Sequence, residues 1–178
     1  MSESSFSIDV EAIRERARST MDAGPVTSTY GRDVDKVIAI LNDVLATEIV
    51  CWMRYTQNAI ACSGIDSAQV AEGFHEHGKE ERHHAMWVAE RISQLGGDPD
   101  FDPETLARRS HTPYTTFADT DLTAMLKENL YAERIVIQSY QDIIRWLGDA
   151  DPTSRRVLEK ILAEEEDHAD DLTDLLGI

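Results

Sequence analysis

Cysteine, proline, positive charge and long apolar runs are all scarce in this chain, and each shortage removes a class of explanation. The two cysteines, Cys51 and Cys62, stand eleven residues apart in one predicted helix. At 1.5 Å per residue that separates them by about 16 Å, whereas a disulfide needs Cα atoms within about 7 Å. They cannot pair within one chain, and two buried, reduced thiols are expected, in keeping with a reducing compartment. No run of about 18 apolar residues occurs, so no membrane-spanning helix is expected. The opening residues, Met1-Ser2-Glu3-Ser4-Ser5-Phe6, have neither the basic nor the apolar segment of a secretory leader. A cytoplasmic location is therefore the expectation. Lys and Arg number 17 against 34 Asp and Glu, a net charge of −17. Affinity for nucleic acid comes largely from Lys and Arg on phosphates, so this balance argues against nucleic acid as a partner. It suits solubility and the attraction of cations. The five prolines, at positions 25, 99, 103, 113 and 152, leave four long stretches free of proline.

Four spans within them, two of these between Pro25 and Pro99, carry the period of buried helix faces. In the second, Val70, Phe74, His77, Glu81, His84, Val88, Ile92 and Leu95 recur at steps of three and four. The competing register through Glu80 and His83 is mostly polar, which places Glu81 and His84 on the core face and Glu80 and His83 at its edge. In the fourth span Glu165 and His168 share a stripe with Leu158, Leu162, Leu172 and Leu175. In the first, Glu48 lies among Leu41, Leu45, Trp52 and Tyr55; in the third, Glu133 lies among Leu126, Leu130, Ile137 and Tyr140. Glu48 precedes Glu81 by 33 residues and Glu133 precedes Glu165 by 32. Each lone Glu is followed seven residues on by a tyrosine, so the chain holds two helix pairs of one design. One Glu-x-x-His alone reads most simply as a partly exposed pair. Two of them in apolar stripes, with two further inward carboxylates, read as a metal site, because a buried carboxylate is costly unless it is paired or holds a cation. Four carboxylates balance two divalent cations, and carboxylate with imidazole suits iron or manganese.

In chain order, residues 1–32 are expected as an arm with a short helix, ended by Gly24-Pro25 and followed by an extended linker. Its mixed charges make it a packing or assembly arm rather than a basic tail. Residues 33–178 are expected as an all-α four-helix bundle. Its helices span about 33–63, 66–95, 121–147 and 152–176, with Asp66 as an N-cap and Gly96-Gly97 as a stop. The second and third are joined by one long crossover, residues 98–120, with room for a small helix at 103–109.

One Glu from each of two helices plus Glu-x-x-His from each of the other two is the pattern of di-iron carboxylate bundles. Leu41-Asn42-Asp43-Val44-Leu45-Ala46-Thr47-Glu48, Glu81-Arg82-His83-His84-Ala85 and Glu164-Glu165-Glu166-Asp167-His168 resemble the bacterioferritin branch of the ferritin-like superfamily, over residues 34–176. The resemblance implies a ferroxidase that oxidises Fe(II) with hydrogen peroxide or O2 and stores iron. It assigns Glu48 and His84 to one iron, Glu133 and His168 to the other, and Glu81 and Glu165 as bridges. Tyr55 is the candidate for orienting a ligand carboxylate, with Tyr140 its weaker counterpart. Haem-binding bacterioferritins carry a Met where this chain has Arg82, so no haem is expected. The sequence ends ten residues after His168, leaving no room for the fifth helix of 24-subunit ferritins. With its arm and crossover, the chain looks more like Dps-like mini-ferritins carrying a bacterioferritin-type site, which implies a homo-oligomer of 12 subunits rather than 24.

The same ligand pattern serves other proteins. A di-metal peroxidase of the rubrerythrin kind or a manganese catalase would turn over peroxide alone, although the Cys-x-x-Cys segment of rubrerythrins is absent. A DNA-protecting Dps-like shell would bind DNA at low salt. A metal-free structural bundle would melt at the same temperature with and without Fe(II).

Overall fold

Four aspartates start four helices. The side chains of Asp9, Asp33, Asp121 and Asp151 accept hydrogen bonds from the backbone N–H groups of Ala12, Lys36, Ala124 and Ser154, satisfying donors that the first helical turn leaves free. The computed structural model describes residues 6–65, 67–115 and 121–178. The helices are α1 (Val10–Ser19), α2 (Val34–Ala61), α3 (Ser67–Gln94), α4 (Leu106–Arg109), α5 (Leu122–Leu147) and α6 (Pro152–Leu176). The four long ones match the expected spans to within two residues at each end. The expected Asp66 cap lies outside the described residues. The small crossover helix is shorter than expected, because it forms only where Leu106 is buried against the core. Gly96, at φ +85°, stops α3, and the Gly97 N–H reaches back to the Ile92 carbonyl at 3.0 Å.

Cross-helix contacts give the topology. Tyr55 of α2 reaches Glu133 of α5, and Tyr140 of α5 reaches Glu48 of α2. Since each tyrosine follows its own helix's glutamate, α2 and α5 must run antiparallel. In α3 and α6, His77 meets Asp171, Glu80 meets His168 and His84 meets Glu164, so this pair is antiparallel too. The short connections make α2–α3 and α5–α6 antiparallel hairpins. It follows that α3 and α5 run parallel, and the chain between them must travel the bundle's whole length. A helix of about 27 residues is roughly 40 Å long, which is why the crossover is long.

The crossover is fastened to α2 by polar handles. The Asn42 side chain donates to the Asp98 carbonyl and accepts from the Asp100 N–H, Arg109 donates to the Asn42 carbonyl at 2.7 Å, and the His111 N–H donates to Thr47 Oγ1 at 2.9 Å. The segment before α2, expected as an extended linker, packs on the bundle. Val26 and Tyr30 pack on the core, and Gly31 sits so close to Ala150 that a Cβ there would lie 2.9 Å from the alanine methyl. Two apolar clusters fill the bundle. The larger one contains Leu41, Leu45, Val88, Ile92, Leu158 and Ile161; the smaller contains Phe74, Met125, Leu126 and Leu172. Between them lies a layer of buried polar residues. Cys51 is buried and free, whereas Cys62, expected to be buried, is only half-buried because it follows the last turn of α2 at the bundle's end.

Candidate metal centre

The structure brings the six predicted side chains into that polar layer. Glu48, Glu81, His84, Glu133, Glu165 and His168 are each at most 2% exposed. They form two overlapping sets, Glu48, Glu81, His84, Glu165 and Glu81, Glu133, Glu165, His168, each with one ligand atom per residue inside a 4.8 Å span. Glu81 and Glu165 belong to both. Glu165 Oε1 is 3.1 Å from His84 Nδ1, and its Oε2 is 3.2 Å from His168 Nδ1. Glu81 likewise turns Oε2 to His84 Nδ1 at 3.8 Å and Oε1 to His168 Nδ1 at 3.7 Å. Glu48 Oε2 lies 3.3 Å from His84 Nδ1, but without the alignment of a hydrogen bond.

Electrostatics among the protein's own groups is uneven. Burial, reinforced by the charge of Glu165, pushes the Glu48 carboxyl far above its ordinary range, and burial with the charges of Glu165 and Glu81 does the same to Glu133. Burial also works against ionising Glu81 and Glu165, but their contacts with His168 and His84 outweigh it and hold both below the usual carboxylate range. Burial opposes a charge on His84 and His168; their carboxylate neighbours outweigh it and raise both imidazoles well above the usual histidine range.

Four carboxylate oxygens, Glu48 Oε2, both oxygens of Glu81 and Glu133 Oε2, are buried with no hydrogen-bond donor. Such atoms are costly, and a cation would supply the missing partner. Hard oxygen plus imidazole nitrogen fits divalent iron or manganese.

The surrounding contacts include groups that periodicity alone did not single out. Each imidazole uses Nδ1 toward the cluster and Nε2 away from it, His84 Nε2 to Glu164 and His168 Nε2 to Glu80, both at 2.8 Å. A carboxylate on the outer nitrogen fixes the tautomer and ring angle of a ligating histidine. Glu80, expected at a solvated edge, is thus a partner of His168 across the bundle. The signal was present: both motifs read Glu-Glu-x-x-His, the residue before the inward Glu being the one that reaches the other helix. The tyrosines act as a crossed pair, Tyr55 O–H donating to Glu133 and Tyr140 O–H to Glu48. Burial and the adjacent carboxylates raise both phenols well above their ordinary range, so both remain donors. Tyr140 is the full counterpart of Tyr55, not a weaker one.

With this geometry in place, sequence comparison gives the family: the model described as Ferritin-like domain matches residues 38–178. The chain belongs to the ferritin-like family. Among solved structures, the bacterioferritin-related protein of Bacteroides fragilis, described as a dodecameric thioferritin, is 35% identical with a TM-score of 0.79, covering 83% of this chain and 88% of that one. A protein of Pyrococcus furiosus named for DNA protection during starvation is 27% identical over 143 residues, 78% of this chain and 75% of that protein. A bacterioferritin of Desulfovibrio desulfuricans is 26% identical over 135 residues, 75% of this chain and 70% of its own length. The all-helical bundle with one long crossover is the ferritin-like fold. Among the described residues, no helix is long and apolar enough to cross a membrane.

Proposed function

We propose that this protein is a ferroxidase and iron-storage protein, oxidising Fe(II) with hydrogen peroxide or O2 at paired iron positions inside each subunit. In this reading Glu48 and His84 hold one Fe(II), Glu133 and His168 the other, and Glu81 and Glu165 bridge them. The observation that carries it is the sharing of Glu81 and Glu165 between two buried four-ligand sets. The four carboxylates match the charge of two divalent ions, so both can be bound deep in the bundle. Each Fe(II) gives up one electron; one H2O2 takes both electrons and two protons, its O–O bond breaks, and two waters leave. Tyr55 and Tyr140 hold the two outer carboxylates at fixed angles, Glu80 and Glu164 do so for the imidazoles, and the flanking apolar clusters exclude bulk water.

Fe(III) would then collect inside a hollow shell of identical copies, twelve in number. Support comes from the dodecameric description of the B. fragilis relative. One relative is named for DNA protection. With a net charge of −17, protection by this chain would consist of consuming Fe(II) and oxidant rather than coating DNA.

The test is native mass and metal analysis, then stopped-flow Fe(II) oxidation with and without peroxide. Rapid oxidation of two Fe(II) per chain is expected, and Glu133→Ala should lose the rapid phase while keeping the native mass. Unchanged kinetics in that variant would overturn the assignment, and turnover of peroxide without iron consumption would favour a di-metal peroxidase.

A further inference from the structure

The two halves of the centre are related by an internal two-fold repeat. Residue for residue, Glu48 and Tyr55 of α2 correspond to Glu133 and Tyr140 of α5, and Glu80, Glu81 and His84 of α3 to Glu164, Glu165 and His168 of α6. The ligands obey the repeat, but their neighbours break it in one direction. Arg54 corresponds to Ser139, Asn129 to Val44, His77 to Ile161 and Asp171 to Trp87. The charged member of the first pair, the polar members of the second and third, and the acid of the fourth stand on the side of Glu133 and His168; the only polar counterpart across the repeat is the small Ser139.

On that half, Arg54 is 2% exposed and carries a permanent charge. It donates to Asn129 Oδ1 at 2.9 Å and the Pro113 carbonyl at 3.3 Å, touches no carboxylate among the described residues, and lies 5.9 Å from the centre of the Tyr55 ring, whose hydroxyl bonds Glu133. His77 is 4% exposed and stacks on His168 with ring centres 4.2 Å apart. Its Nε2 is 3.2 Å from Asp171 Oδ2, and its Nδ1 is buried without a partner. These two residues line a surface cavity of about 360 Å³ together with Asp174, Gln69, Gly73 and Leu175. Carboxylates at the mouth and an unpartnered imidazole nitrogen behind them suit a cation shedding its water on the way to His168. On the other half, Ile161 and Val44 are fully buried, and Trp87 packs against His84 at 5.5 Å with the Lys160 ammonium 3.4 Å above its ring. Glu164 there faces the same Lys160 at 4.0 Å. Apolar packing under a positive charge opposes the approach of a cation.

We propose that the two ion positions are unequal: the Glu133–His168 position is the labile one, filled and exchanged through the His77–Asp171 cavity, and the Glu48–His84 position retains its ion. This rests on the di-metal reading above. Arg54 weakens cation binding on the labile side by its fixed charge, and the cavity gives that side its path to solvent.

The test is anaerobic Co(II) titration by calorimetry, with stopped-flow following of Co(II) absorbance. Wild type should show two binding classes of one ion per chain each. Glu133→Ala should keep the tight class, and Glu48→Ala should lose it. Arg54→Met should tighten the weaker class by on the order of tenfold or more. Asp171→Asn and His77→Phe should slow filling of the weaker class by about tenfold or more without changing the tight one. Asp171 is exposed, so the filling rate of Asp171→Asn can be read even if Arg54→Met fails to fold. Two indistinguishable classes, or unchanged filling rates in both Asp171→Asn and His77→Phe, would overturn the inequality alone. No Co(II) bound by folded wild type would overturn the di-metal reading itself.

Discussion

At the scale of single residues, the chain repeatedly places a group whose value depends on one partner. Tyr55 and Tyr140 are the clearest case. Replacing either by Phe leaves a buried carboxylate oxygen without its donor, at a cost of about 1–3 kcal/mol. Chemical denaturation of Tyr55→Phe and Tyr140→Phe should therefore show losses of similar size. A loss confined to Tyr55→Phe would mean that the crossed pair is not equivalent. Asp151 is a second case, far from the centre. It is 1% exposed, caps α6, and accepts from Tyr30 O–H at 2.5 Å, Ser154 Oγ at 2.6 Å and Arg91 Nη2 at 3.2 Å. Burial opposes its ionisation, but the bonds from Ser154 and Tyr30 and the charge of Arg91 prevail and lower its pKa. A carboxylate whose folded pKa lies below its unfolded value stabilises the fold above the unfolded pKa. That stability is lost as pH falls through the folded pKa. Asp151→Asn should thus destabilise at pH 7, and the gap to wild type should close on acidification below about pH 4, where the unfolded carboxyl titrates. Unfolding curves at a series of pH values check it; a gap that stays constant would show that the charge is not what matters.

At the scale of elements, α1 and the strap after it play different parts. No residue of α1 is buried, while Phe6, Val10, Ile13 and Met21 stay exposed. Residues 26–32 contribute Val26, Tyr30 and Arg32, the last donating to the Trp146 and Leu147 carbonyls at the end of α5. Deleting residues 1–24 should change the unfolding free energy by less than about 1 kcal/mol, as for other surface changes. Deleting residues 1–32 removes the Tyr30 partner of Asp151 and should cost clearly more. Native mass of the shorter deletion adds a second readout. A drop would assign the apolar stripe of α1 to contacts between copies.

At the scale of the whole molecule, a polar layer holding four carboxylates cuts the core in two. Packing alone would favour apolar residues at those positions, and ions bound only by the folded state stabilise it. Adding Fe(II) without oxygen should raise the melting temperature and a chelator should reverse the rise. A melting temperature indifferent to both would count against cations in the layer. How much of this was legible beforehand differs by kind of feature. The four long helices, the inward registers and all six clustered side chains could be read from spacing, because a helix's period is a local property of the chain. Glu80 looked like part of a solvated edge because the period of α3 alone puts it beside the core stripe; only the Glu-Glu-x-x-His shared with α6 hinted at a partner, and not at which one. The strap was legible only as an extended linker in a packing or assembly arm, because its anchor, Asp151, lies more than a hundred residues away.

What the sequence determined by itself was therefore which side chains face the bundle axis, since steps of three and four place them there whatever the neighbouring helix does. Only the tertiary structure decided who meets whom: Tyr55 with Glu133, Tyr140 with Glu48, Glu164 with His84, and Arg54 and His77 beside one half of the centre but not the other. The reason is that these pairings depend on the antiparallel offset of one helix against the next. That offset is set by side-chain packing and the length of the crossover, neither of which leaves a period in the sequence.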